Sequence, residues 1–160
     1  MVRFKNRYVV CEVNCDGKKP SFTEYEFYMS LREAVKIYHG DYGSGCTMTS
    51  LSVKHFNLNT GIIIIRVKRG CHLMIQSTLT LITKVKDCDV MLHTVHIGGT
   101  LKSCQKFLIR YHQKQLAHSL KQCQTAEERV TVRQIIKKSD ILVKKNKPGK
   151  LFQSDPSNVT

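Results

Sequence analysis

Ile62, Ile63, Ile64 and Ile65 stand side by side in the chain. Successive strand residues point to opposite faces, so four adjacent isoleucines, continuing through Arg66 and Val67 to Lys68, predict a strand with bulk on both faces of a sheet. That strand is central. The segment Arg7–Val13 is apolar at Tyr8, Val9, Val10, Cys11 and Val13 and predicts a second strand of the same kind. By contrast Leu51, Val53 and His55 alternate with Ser50, Ser52 and Lys54, the pattern of an edge strand with one wet face. Asn57–Gly61 forms the turn into the isoleucine strand, and Val90–Ile97 supplies a fourth strand.

Two helical stretches separate these strands. Thr23, with Glu26 three residues later, makes a capping box, after which Tyr28, Leu31, Val35 and Tyr38 recur at helical spacing until Gly40 ends the run. Residues Leu73–Val85 form the second helix, with Leu73, Ile75, Leu79 and Ile82 to pack. The order βαββαβ predicts an α+β ferredoxin-like two-layer sandwich with an antiparallel sheet, the first and third strands in its middle. Because those strands are apolar on both sides while the crossover helices cover one, a further layer is needed. A third helix capped by Thr100 and running to about Cys123 is expected to supply it through Leu101, Cys104, Leu108, Tyr111, Leu116 and Leu120, unless a partner subunit does. A fourth helix, opened by the capping box Thr125/Glu128, carries Val132, Ile135 and Ile136. Residues 1–142 are thus expected as one domain with extra C-terminal helices, and 143–160 as a disordered basic tail.

The chain of 160 residues carries 26 Lys plus Arg against 12 Asp plus Glu, and the excess is uneven. Residues 42–86 and 90–126 contain no carboxylate at all. Such stretches lay a positive potential over the fold and suit a polyanionic partner, nucleic acid first; a solvated basic surface or an acidic protein partner is the alternative. The longest fully apolar run, Ile62–Ile65, is far too short for a membrane span, and Arg3, Lys5 and Arg7 precede no signal-peptide core, so a soluble intracellular protein with no membrane partner is expected. Seven scattered cysteines read as reduced thiols, most of them core filler.

On the third helix Lys102, Lys106, Arg110, Lys114 and His118 recur every four residues, with Lys121 three further on. At ~1.5 Å rise per residue this stripe spans about 28 Å, enough to follow several phosphates of a folded RNA. No acid shares the helix, whereas an ordinary solvated helix mixes signs. Gly98-Gly99-Thr100 leads into it, so backbone N–H groups and the positive helix end face one point where a phosphate fits; a tight turn and an N-cap explain the same residues without a ligand. Arg3, Lys5 and Arg7 alternate along an extended arm with Phe4 and Tyr8 opposite.

Catalytic patterns are poor. Cys88, His93 and His96 have the types of a zinc trio, but three-residue spacing on a regular strand puts the histidines on opposite faces, so no metal is expected. Asn14-Cys15-Asp16-Gly17 after the first strand lacks the arginine loop of ferredoxin-like acylphosphatases, and Ile62–Lys68 offers no ring for base stacking of the RRM type. Recognition of backbone and shape is expected instead.

Met1-Val-Arg-Phe-Lys-Asn-Arg-Tyr8, His39-Gly40 with Gly43, Asn57 with Thr60-Gly61 and Arg66, and above all His96-Ile-Gly-Gly-Thr100 continuing to Cys104-Gln-Lys-Phe-Leu-Ile109, Tyr111 and Gln115-Leu116 resemble the Pop-five subunit family of ribonuclease P and RNase MRP. The resemblance covers about residues 1–125. It implies a ferredoxin-like, noncatalytic protein of a nuclear and nucleolar ribonucleoprotein that removes the 5′ leader of precursor tRNA and, in RNase MRP, processes precursor rRNA. The active site and Mg²⁺ then belong to the ribonuclease P RNA or MRP RNA, with no cofactor bound by the protein itself. Partners implied are those RNAs, a barrel-type subunit, a paralogous small subunit and, indirectly, precursor tRNA. The RNA-facing candidates carried over are Arg3, Lys5, Arg7, Arg66, Gly98, Gly99, Thr100, Lys102 and Lys106, to which the stripe adds Arg110 and Lys114. A different ferredoxin-like RNA-binding or ribosome-assembly protein is the alternative, and a small phosphohydrolase the third reading.

Overall fold

The computed structural model describes residues 5–15, 22–57 and 60–122. Arg3, the expected fourth helix and the expected tail 143–160 lie outside the described residues. The chain divides into two compact units, Met1–Cys104 and Gln105–Thr160. The first contains β1 (Asn6–Asn14), α1 (Glu24–Met48), β2 (Ser52–Asn57), β3 (Ile62–Lys68), a 3-10 turn (Arg69–Cys71), α2 (His72–Leu81), the short strands β4 (Lys84–Val85) and β5 (Cys88–Asp89), β6 (Met91–Gly98), and the first turn of α3 (Leu101–Gln122).

The main sheet has the order β2-β3-β1-β6, with every pairing antiparallel. This is the ferredoxin-like arrangement, with β1 and β3 in the middle as their sequences require. Ile63, Ile65 and Val67 pack with Val9, Cys11 and Val13 and with Phe27, Leu31, Val35, Ile75 and Leu79 of the two helices. Val10, Ile62 and Ile64, on the other face, are buried to 2% exposure or less. Burial of each such side chain is worth roughly 1.5–3 kcal/mol.

Gly61 pins the β2–β3 connection. Its φ of 65° is left-handed, its carbonyl accepts the Val13 N–H at 2.7 Å, and a Cβ there would sit 3.0 Å from the Val13 oxygen. Only glycine meets both demands without strain.

Local irregularities change four expectations. First, Gly40 breaks the helical path (φ 60°, ψ −155°), but the chain resumes helix to Met48 and buries Gly43 and Thr47, whose hydroxyl donates to the Gly43 carbonyl at 2.8 Å. Second, a register shift in β2 between Val53 and His55 puts Phe56, not His55, opposite Ile63 on the core face, while His55 pairs with Ile64 on the other. Third, α2 stops at Leu81, and Ile82 turns to extended geometry to enter the β4–β5 hairpin; Ile75, Leu79 and Ile82 are buried, whereas Leu73 is 65% exposed. Fourth, a bulge in the β1–β6 pairing places His93 opposite Glu12 and His96 opposite Val10. The two histidines therefore share a face, contrary to the expectation from a regular strand. Among the described residues no three His, Cys, Asp or Glu form a metal-holding group, and no helix is long and apolar enough to cross a membrane.

Candidate nucleic-acid interface

The antiparallel register gathers the candidates of the first unit at one end of the sheet. Tyr8 pairs with Arg66 on one side and with Gly98 on the other, so β1 carries the basic side chain of β3 and the start of the glycine turn to the same level. Arg66 is held flat by Asn6, whose side-chain oxygen, in the amide orientation that suits both groups, accepts from Nε at 3.3 Å and from Nη2 at 3.0 Å. Asn6 was invisible as a functional residue in the sequence. Its role depends on pairing with Lys68 two register steps from Tyr8, and no linear pattern marks that.

The two glycines of the turn do different work. A Cβ on Gly98 would lie 2.5 Å from the Cys104 Sγ and 3.3 Å from the Thr100 carbonyl, so Gly98 admits the first turn of α3 against the sheet end. Cys104 is fully buried there, its thiol facing the Tyr8 carbonyl at 3.8 Å and pushed up by burial. Gly99 instead faces the tip of Arg7. A Cβ at Gly99 would sit 2.9 Å from the Arg7 Nη1, so its bare backbone leaves space for that guanidinium at the mouth of the helix. Thr100 caps α3 as expected, its hydroxyl oxygen accepting the Ser103 N–H at 3.2 Å. The remaining first-turn amides, the positive end of the helix dipole, Arg7 and exposed Lys102 are thus neighbours in the chain's local geometry. Lys5 is exposed one residue ahead of β1, and its carbonyl accepts the Arg69 N–H at 2.9 Å, anchoring the arm to the end of β3.

In the second unit, α3 presents Lys106, Arg110, Lys114 and His118 as exposed residues, while Leu108, Tyr111, Leu116 and Leu120 are half-buried. Phe107 and Tyr111 stack at 5.8 Å between them. The ion pairs among the described residues are Lys84–Asp89 and Lys86–Glu26, both remote in sequence from these cations. Within each unit taken by itself, Arg7, Arg66 and Lys102 of the first and Lys106, Arg110 and Lys114 of the second therefore form no ion pair with a carboxylate among the described residues, which leaves them available to a polyanion.

Fold and cationic groups together define a class: a small basic ferredoxin-like protein in which, among the described residues, the sheet end and the third helix carry no acid in an ion pair with their cations. Comparison with known proteins narrows it. The model of the Rpp14/Pop5 family matches residues 7–109. The cow ribonuclease P/MRP protein subunit POP5 is 31% identical, covering 96% of this chain and 94% of its own length; the zebrafish protein of the same name is 37% identical, covering 85% of each. A chain in the cryo-electron microscopy structure of yeast ribonuclease MRP shares the fold, with a TM-score of 0.51 at 11% identity over 90% of this chain and 98% of that one. The chain belongs to the Rpp14/Pop5 family.

Proposed function

We propose that this protein is a subunit of ribonuclease P and RNase MRP that binds and stabilises the RNA component, serving removal of the 5′ leader from precursor tRNA and processing of precursor rRNA in the nucleus and nucleolus. One observation carries the reading: in a member of this family, cations on Arg7, Arg66, Lys102, Lys106, Arg110 and Lys114 stand without carboxylate partners among the described residues. Positive potential of this kind offsets phosphate repulsion and lowers the demand of a folded RNA for Mg²⁺. The catalytic metal then sits on the RNA, and the protein acts on chemistry only through RNA shape. A barrel-type and a paralogous small subunit of the same particle are the protein partners in this reading.

The test is affinity purification of the tagged full chain followed by sequencing of the bound RNA. A defined long RNA that cleaves precursor tRNA is expected. Recovery of ribosomal or heterogeneous RNA instead would assign the protein to ribosome assembly or general RNA binding, and cleavage by RNA-free protein would make it a nuclease in its own right.

A further inference from the structure

Just beyond the end of β3, on the side of the core, the fold brings together two thiols to which the proposed RNA binding gives no role. Cys46 lies in the last turn of α1, and Cys71 ends the 3-10 turn ahead of α2, so the two are 25 residues apart in sequence. In space they meet. The Cys71 Sγ lies 3.6 Å from the Cys46 carbonyl oxygen. Both are free thiols, Cys71 buried and Cys46 partly exposed. The Cys71 thiol is pushed up first by burial and then by the Cys46 thiol beside it, while the Lys68 ammonium acts in the opposite direction. On the solvent side the Tyr42 phenol is pushed up, first by the nearby Cys46 thiol. The buried Cys11 and Cys104 point elsewhere, the Cys11 thiol to the Glu12 carbonyl and the Cys104 thiol to the Tyr8 carbonyl.

We propose that Cys46 and Cys71 form a peroxide-sensitive dithiol whose oxidation to a disulfide ties the helical segment after the Gly40 kink to the start of α2. The roles follow from access. Cys46, the partly exposed thiol that peroxide can reach, attacks as its thiolate, its proton passing to solvent. The thiolate attacks one peroxide oxygen, forming S–O as O–O breaks, and hydroxide leaves and is protonated to water. Cys71 then attacks the Cys46 sulfenic sulfur, its proton passing to the departing hydroxide; S–S forms, S–O breaks, and a second water leaves. In sum two thiols are oxidised to one disulfide while one hydrogen peroxide is reduced to two waters. Side-chain rotation must bring the sulfurs to about 2.05 Å, starting from a Cys71 sulfur already 3.6 Å from the Cys46 backbone oxygen. The consequence is mechanical. Gly40 interrupts the helix at φ 60°, so residues 41–48 are joined to the rest of α1 by a break, and a covalent tie at Cys46 fixes them to the 3-10 turn.

The experiment uses the reduced full chain treated with stoichiometric hydrogen peroxide, blocked with iodoacetamide and read by intact mass and peptide mapping. Expected are loss of two hydrogens, a single Cys46–Cys71 linked peptide, and a higher melting temperature that dithiothreitol reverses. Cys46→Ser, at the partly exposed position, should abolish both the mass change and the thermal shift. Repeating the oxidation in urea should scramble the pairing. A different dominant pair in the folded protein, or Cys46 driven to sulfinic acid while Cys71 remains open to alkylation, would overturn the proposal.

Discussion

The Lys86 ammonium stands 2.8 Å from the Glu26 Oε1, while the other oxygen of the same carboxylate accepts the Thr23 backbone N–H at 2.7 Å. One side chain thereby closes the cap of α1 and ties it to the turn of the β4–β5 hairpin. Lys86 first, and then the Thr23 N–H, hold the Glu26 carboxyl at about 2 instead of 4.5. A depressed carboxylate stabilises the fold above the unfolded value and loses that contribution as pH falls through the folded one. Glu26→Gln keeps a capping side chain but loses the charge. Its melting temperature should lie below wild type at neutral pH, with the gap closing between pH 4.5 and 2. Parallel thermal melts across that window check it; a gap unchanged at pH 2 would show that the carboxylate charge is irrelevant.

The glycine turn separates packing from ligand space. Because the Gly98 position is closed by the Cys104 sulfur at 2.5 Å and by backbone, Gly98→Ala should cost about 1–3 kcal/mol. Gly99→Ala meets only the end of the flexible Arg7 side chain at 2.9 Å, which can swing away, so its stability should stay within about 0.5 kcal/mol of wild type. Adding Cys104→Ala should recover part of the Gly98→Ala loss, measured as a coupling energy in a denaturant double-mutant cycle. Equal costs at both glycines would refute this division.

Most of the architecture was legible because its strongest signals are local. Four isoleucines fix β3, and the Thr23/Glu26 box fixes the start of α1. What the sequence hid were events decided by partners distant in the chain. The bulge that swaps His55 for Phe56 depends on the register against β3, and the one that brings His93 and His96 to one face depends on β1. Residues 41–48 lie beyond Gly40, where the helical run was expected to end, yet they are helical, and Gly43 is needed as glycine because a Cβ would sit 2.4 Å from that of His39. At the candidate interface the cations were visible as a pattern, whereas the Asn6 clamp on Arg66, the Arg7 tip over Gly99 and the Cys46–Cys71 meeting exist only in three dimensions.

Binding to structured RNA should weaken steeply with salt, since neutralising about five phosphates gives a log–log slope of roughly −3.5 to −4.5. Lys102, Lys106 and Arg110 are all exposed, so their joint replacement by Glu should leave the melting temperature nearly unchanged while lowering affinity and flattening that slope by about two units or more. Filter binding over a salt series checks both. Wild-type affinity and slope in the triple variant would reduce the stripe to a solvated face.

Cleavage chemistry should reside outside this chain. Breaking a phosphodiester needs a metal clamp or a positioned acid–base pair, and residues 42–86 and 90–126 supply no carboxylate for either. Asp87 and Asp89 are the one close pair of acids between those stretches. They lie in the β4–β5 hairpin, where Asp89 is spent on an exposed 3.7 Å ion pair with Lys84 across the strand pair. An exposed pair of this kind contributes about 0–1 kcal/mol to stability, so the hairpin should tolerate its loss. In a reconstituted ribonuclease P particle, alanine at both Asp87 and Asp89 should leave precursor tRNA cleavage within a few fold of wild type, and pure protein with Mg²⁺ alone should not cleave. Single-turnover cleavage by assembled particles, with assembly verified by native gel, is the measurement. Lost activity in a fully assembled double variant would move the metal from RNA to protein and overturn the scaffold reading.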